Sequence, residues 1–230
     1  MKRKIQDWSE VPNYGMSEAS VYLHVPLTTL RYWTLGKTHE RPLVKIAKYH
    51  QRQPLLSFKN LVECYVLEIL RIAHGIAVQR IRYALETALA KYPSQHPFAD
   101  YDLSTERNRI YLDEQPLTDL SIGGQFVFRE FVGPSLKRVQ RNHKGIAERL
   151  YPFMKKSQIT QAQHEPPRTV VIDPAVSFGM PVLANSRIST AFLASRYRGG
   201  DSIPILARDY GRKEREIEEA LVWERAKQAA

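Results

Sequence analysis

Pro26 divides the segment ASVYLHVPLTTLRYW, residues 19–33, between two stretches of helical apolar spacing. Proline has no amide hydrogen and its ring collides with the preceding turn, so it is excluded from a helix interior but suits a first turn. The segment is therefore predicted as two short helices meeting at a tight turn, one running from a Ser17 cap to about Leu23 and one opening at Pro26. Met16, Ala19 and Leu23 share a face of the first helix, Leu30 and Trp33 form the inner face of the second, and Val25 lies between them. That is a helix-turn-helix. Its second helix leaves Thr28, Thr29, Arg31 and Tyr32 on the outer side, where Arg31 could read guanine or grip a phosphate and the threonine hydroxyls could do either.

The next stretch, residues 34–58, carries Lys37, His39, Arg41, Lys45, Lys48, His50 and Arg52. Alternation in LVKIAKY predicts a strand, and the breaks at Gly36 and Pro42 suit a two-stranded wing that touches phosphates. The candidate DNA-binding set is thus Ser17, Thr28, Thr29, Arg31, Tyr32, Lys37, His39, Arg41, Lys45, Lys48 and Arg52. Charge distribution points the same way. The formal net charge is +10, and residues 1–92 hold 14 Lys and Arg against 7 acids, whereas residues 169–230 hold 9 against 8. A basic module beside a near-neutral one is expected to meet a polyanion, most simply double-stranded DNA.

Other classes find little support. Cys64 stands alone in an apolar helical pattern, which leaves no disulfide or thiolate metal site, and the histidines lack ligand spacing. No apolar run approaches the roughly 18 residues needed to span a bilayer, and Asp7 and Trp8 follow the basic start where a signal peptide needs apolar residues; a cytoplasmic protein is expected. No Gly-rich phosphate loop or His-Glu metal helix is present, and SIGGQF reads as a turn, so the expectation is a non-enzymatic protein without cofactor or metal.

Ser57 is expected to cap a long, widely apolar helix from Phe58 to about His74, followed by an amphipathic helix from Val78 to about Lys91. RIYLD, 109–113, is a predicted strand, while residues 125–140 read either as a strand and a helix or as one broken helix. Four regions follow: a winged helix-turn-helix at 1–92, a small β/α connecting region at 93–141, a polar linker at 142–168 and a final domain at 169–230. The final domain should hold strands near 169–173 and 181–183, then helices near 190–198, 203–209 and 213–227, with Ile217, Ala220, Leu221, Val222 and Trp223 in its core. On this division a chain cut near residue 150 should fold alone. The final helix is acidic at Glu214, Glu216, Glu218, Glu219 and Glu224, so protein contact is expected there, with Arg187, Tyr197, Arg198 and Trp223 as candidate partner anchors.

Residues 1–92, through YGMSEASVYLHVPLTTLRYW and PLLSFKNLVECYVLEILRIAHGIAVQRIRYALE, resemble the winged helix-turn-helix of MerR-type regulators. Residues 172–224 resemble the DUF433 domain of antitoxins at Asp173-Pro174, Gly179, Pro181-Val182, Arg187, Gly200, Ser202, Asp209-Tyr210 and Glu218-Glu219-Ala220. Asn185-Ser186-Arg187 stands where that family commonly has Gly-Thr-Arg; Asn tolerates a positive φ, so the turn should survive. The combination resembles VapB45-type antitoxins. The resemblance implies a mainly α fold with small β wings or hairpins, a trihelical tail, a PIN-like (DUF5615/VapC45-type) ribonuclease toxin as partner, and repression of the protein's own operon. From the size of such regulators a homodimer on two half-sites is expected. The alternative is an effector-responsive MerR-like regulator without a toxin.

Overall fold

The computed structural model describes residues 7–37, 40–46, 53–72, 77–91, 94–100, 137–153, 158 and 166–228. It is mainly α with small two-stranded antiparallel sheets. Helices α1 (Met16–Leu23) and α2 (Leu27–Leu35) pack on α3 (Phe58–Ile72), which is followed by α4 (Val78–Lys91) and the single turn α5 (Pro97–Asp100). None of the described helices is long and apolar enough to cross a membrane.

α3 is the axis of the first part. Ser57 and Asn60 cap it reciprocally: the Asn60 amide donates to Ser57 Oγ and the Ser57 amide to Asn60 Oδ1, each at 3.2 Å. Every residue from Phe58 to Leu70 is buried, and each large apolar side chain so removed from water contributes about 1.5–3 kcal/mol. Lys59 and Glu63, both buried on this helix, are partnered. Lys59 Nζ lies 2.9 Å from Glu10 and 3.1 Å from Asp100; burial pulls its ammonium pKa down, but these acids outweigh that and leave it raised. Glu63 accepts from Asn60 and lies 3.0 Å from His96 Nδ1.

The strands depart from expectation in two places. β1 (Tyr14–Gly15) pairs antiparallel with β2 (Leu55–Leu56), but the wing strand expected over 43–49 is not formed at 43–46. There the amides of Leu43 and Val44 both donate to Trp33 O, at 2.8 and 3.0 Å, which folds this segment onto α2 with both side chains buried. Residues 47–49 lie outside the described ones, as do the strand expected at 109–113 and most of 125–140. The second departure is the polar linker. Residues 139–150 form a hairpin, β3 (Val139–Arg141) and β4 (Ala147–Leu150), and Ala147, Leu150, Tyr151 and Phe153 are buried. Arg138 binds this hairpin to the chain that follows: its guanidinium donates to the carbonyls of Tyr151 (2.6 Å), Pro152 (3.0 Å), Pro166 (2.8 Å) and Pro167 (3.1 Å) and lies 4.6 Å from the Phe153 ring centroid.

In the tail, β5 (Val170–Val171) pairs with β6 (Val182–Leu183), and Ile172 bridges to Leu150. Asn185 has φ of 57°, as its place in the turn requires. Helices α6 (Thr190–Arg198), α7 (Ile203–Tyr210) and α8 (Glu214–Gln228) lie where the sequence puts them. Leu183, Leu193, Leu206, Ile217, Ala220 and Leu221 fill their shared core. Val222 and Trp223 do not join it. Val222 is exposed, and Trp223, 3% exposed, belongs to the cluster built by α1, α2 and α3.

Candidate nucleic-acid interface

The turn between α1 and α2 is set by three local devices. His24 takes the left-handed conformation at the end of α1 (φ 55°), the Val25 amide donates to Ser20 O at 3.0 Å, and Ser20 Oγ donates to Val25 O at 2.6 Å. Pro26 then occupies the cap of α2, one residue before the position expected, and its carbonyl accepts the Leu30 amide at 2.9 Å. Ser17 is not the cap of α1. Gly15 is, and Glu18 reaches back to its amide at 3.4 Å, leaving Ser17 exposed in the first turn.

α2 presents two faces. Leu30, Trp33 and Thr34 are buried, and the Thr34 hydroxyl is used on Leu30 O at 2.8 Å. Thr28 and Arg31 are exposed and Thr29 is half-buried. Gly36 ends the helix with φ of 76°; a Cβ there would stand 2.3 Å from Glu40 O, so only glycine lets the chain double back. The reversal is closed by Lys37 and Glu40, each donating its amide to the other's carbonyl at 3.3 and 3.0 Å.

That reversal places Lys37, Arg41 and Lys45 beside α2, all exposed. It also introduces an acid that sequence reasoning passed over. Glu40 accepts the Tyr32 hydroxyl and lies 3.7 Å from Arg82, which itself donates to Arg41 O at 2.6 Å. Lys37 Nζ sits 5.1 Å from the Tyr32 ring centroid. The Tyr32 phenol is thus occupied inside the chain, holding the turn rather than reaching outward. Thr28, Arg31, Lys37, Arg41 and Lys45 remain as the exposed polar edge, with half-buried Thr29 beside them. His39, Lys48 and Arg52 lie outside the described residues. An acid in a basic run was the available signal for Glu40, but its pairing with Arg82 spans 42 positions and no periodicity reveals it.

The candidate anchors in the tail divide similarly. Arg187 and Arg198 are exposed, and Tyr197 is half-buried against the α6–α8 core, with Arg225 stacked 5.8 Å from its ring centroid. Trp223 is corrected. Its ring stacks on Tyr22 with centroids 5.8 Å apart, and His24 meets it edge-on at 6.4 Å, so it docks α8 onto the helix-turn-helix and has no free face for a partner. Among the described residues no group of three or more His, Cys, Asp or Glu side chains is placed to hold a metal ion.

Residues 12–85 match HTH_66, described as "Putative DNA-binding HTH domain", and residues 170–223 match the family described as "Protein of unknown function (DUF433)". The chain is 29% identical over 238 residues to the protein named "Putative antitoxin VapB45" of Mycobacterium tuberculosis (strain ATCC 25618 / H37Rv), covering 92% of this chain and 93% of that protein. The crystal structure of Rv2018 from Mycobacterium tuberculosis is similar with a TM-score of 0.67 and 26% sequence identity, covering 92% of this chain and 98% of that one. A DNA-binding helix-turn-helix first and a DUF433 unit last is the order the sequence motifs led us to expect.

Proposed function

We propose that the protein is the antitoxin of a type II toxin-antitoxin pair: it binds operator DNA through α2 and the basic turn after it, represses its own operon, and neutralises a PIN-like ribonuclease by direct contact through the tail. It acts as a regulator without catalysis of its own, working in the cytoplasm as a homodimer. The observation that carries the DNA half is the outer face of α2, where exposed Thr28 and Arg31 stand beside the exposed cations Lys37, Arg41 and Lys45 on a frame locked by Gly36 and the buried Trp33. The short helix can enter a major groove while the cations meet flanking phosphates. Similarity to a protein named as an antitoxin supports the toxin half.

Two measurements test the reading. The full-length chain should shift a duplex taken from upstream of its own gene, more weakly at high salt than at low, and should outcompete random duplex. It should also co-purify with the product of the adjacent reading frame and silence its ribonuclease activity. Failure of the first removes the repressor role. Capture of no neighbour, together with operator binding that responds to a small molecule, would favour the effector-responsive regulator.

A further inference from the structure

A cleft of about 300 Å³ opens between the end of β4 and the tail, with no α2 residue in its lining. Val171, Val176, Val182 and the Tyr151 ring give it an apolar lining, interrupted by Asn185 and Ser186, and Arg149 and the exposed Arg187 line it as well. Three of the positions that carry the DUF433 resemblance, Asp173, Val182 and Arg187, meet here. Asp173 is no competitor for an incoming anion: one carboxylate oxygen accepts Arg149 Nε at 2.7 Å and the other the Ala175 amide at 2.8 Å. Arg187 is exposed and forms no side-chain hydrogen bond or ion pair among the described residues. The cleft therefore pairs a partly apolar lining with one unspent guanidinium.

We propose that this cleft is the docking site for a carboxylate-bearing segment of the partner protein, an Asp or Glu flanked by apolar side chains, with the carboxylate gripped by Arg187 and the neighbours seated on the three valines. This rests on the partner-binding role given above to the tail. Charge selects a protein carboxylate over nucleic acid. A polyanion needs a broad positive field, whereas the charged side chains lining this cleft are Arg149, which Asp173 neutralises, and Arg187, so the cleft itself offers a single unspent positive charge. A guanidinium matches a single carboxylate with two parallel hydrogen bonds.

The experiment uses the full-length chain and its Arg187→Glu variant, since Arg187 is exposed and its replacement leaves the Arg149–Asp173 pair intact. Each is titrated with the product of the adjacent gene and, separately, with the peptide acetyl-Val-Glu-Val-amide, following the methyl resonances of Val171, Val176 and Val182. The variant should bind the partner at least about tenfold more weakly at unchanged Tm and operator affinity. The peptide should shift the three valines in the wild-type chain and not in the variant. Unmoved methyls, or equal partner affinity in both chains, overturn the cleft while leaving the antitoxin reading in place. If the wild-type chain captures no partner, that reading falls and the peptide titration decides the cleft alone. Weakened operator binding by the variant would assign the site to phosphate and likewise overturn it.

Discussion

Arg31 and Tyr32 are neighbours in sequence with the same apparent suitability for DNA, and the structure separates them. Arg31 is exposed, while the Tyr32 hydroxyl is given to Glu40. Arg31→Ala should therefore weaken operator binding by about 1–3 kcal/mol if the guanidinium reads a base, and leave the thermal midpoint unchanged. Titration of operator duplex against both chains checks it, and equal affinities would remove Arg31 from the interface. Glu63 offers a prediction of a different kind. Burial raises its carboxyl pKa above the ordinary 4.5, and the contacts of His96 and Asn60 only partly offset this. A carboxyl held above its unfolded value favours the folded state while protonated; that contribution is complete below the ordinary value and is lost as pH rises through the raised one. Glu63→Gln should flatten this loss, so its Tm should fall less than the wild-type Tm between about pH 4.5 and pH 8. Parallel curves would mean that Glu63 does not titrate in that window.

At the scale of elements, the helices and the two tail strands at 170–171 and 182–183 were legible, whereas the conformation of 43–46 and of the linker was not. α2, α3 and α6–α8 announce themselves by apolar spacing, a proline or a cap, all within a few residues. Residues 43–46 and the linker depart from expectation because their structure is decided at a distance. Leu43 and Val44 alternate with polar residues as strand positions do, yet the Trp33 carbonyl takes both amides. Arg138 and Arg141 look like solvated charges, yet they tie the β3–β4 hairpin to carbonyls 13 to 43 residues away. In the candidate interface, Thr28 and Arg31 were visible from helical phase alone, whereas Glu40's grip on Tyr32 and Arg82 was not. The segment after α2 nevertheless keeps Lys37, Arg41 and Lys45 exposed, as the proposed phosphate contacts require. Arg41→Ala should then weaken binding to operator and random duplex alike and reduce the slope of log K against log salt by about 1. A loss confined to operator sequence would show that Arg41 reads bases instead.

For the whole molecule, a division into separable halves conflicts with where the core lies. Trp223 of α8 is buried on Tyr22 of α1, and Val170, Ile172 and Phe153 belong to the same cluster as Leu30, Trp33 and Phe58. Polar contacts cross the same seam. The Tyr14 hydroxyl donates to Gly179 O at 3.0 Å, with burial and then the nearby Glu18 and Asp173 keeping the phenol protonated, and Asn13 donates to Phe178 O. A Cβ on Gly179 would fall 2.2 Å from that hydroxyl, so the close approach is specific to glycine. Deleting a buried tryptophan side chain costs about 3–5 kcal/mol, against about 5–15 kcal/mol for the net stability of a whole domain. Trp223→Ala should therefore lower the denaturant midpoint while keeping a single transition, reported alike by helix content and by an operator-binding probe. A chain ending at residue 150 loses Trp223, Ile172, Val170 and Phe153 together and uncovers Tyr14 and Tyr22, which is more than a helix-turn-helix of this size can absorb. Such a fragment should melt without a cooperative transition and fail to bind operator. A sharp melt with wild-type operator affinity would show that the first part carries its own core and that the seam at Trp223 is dispensable.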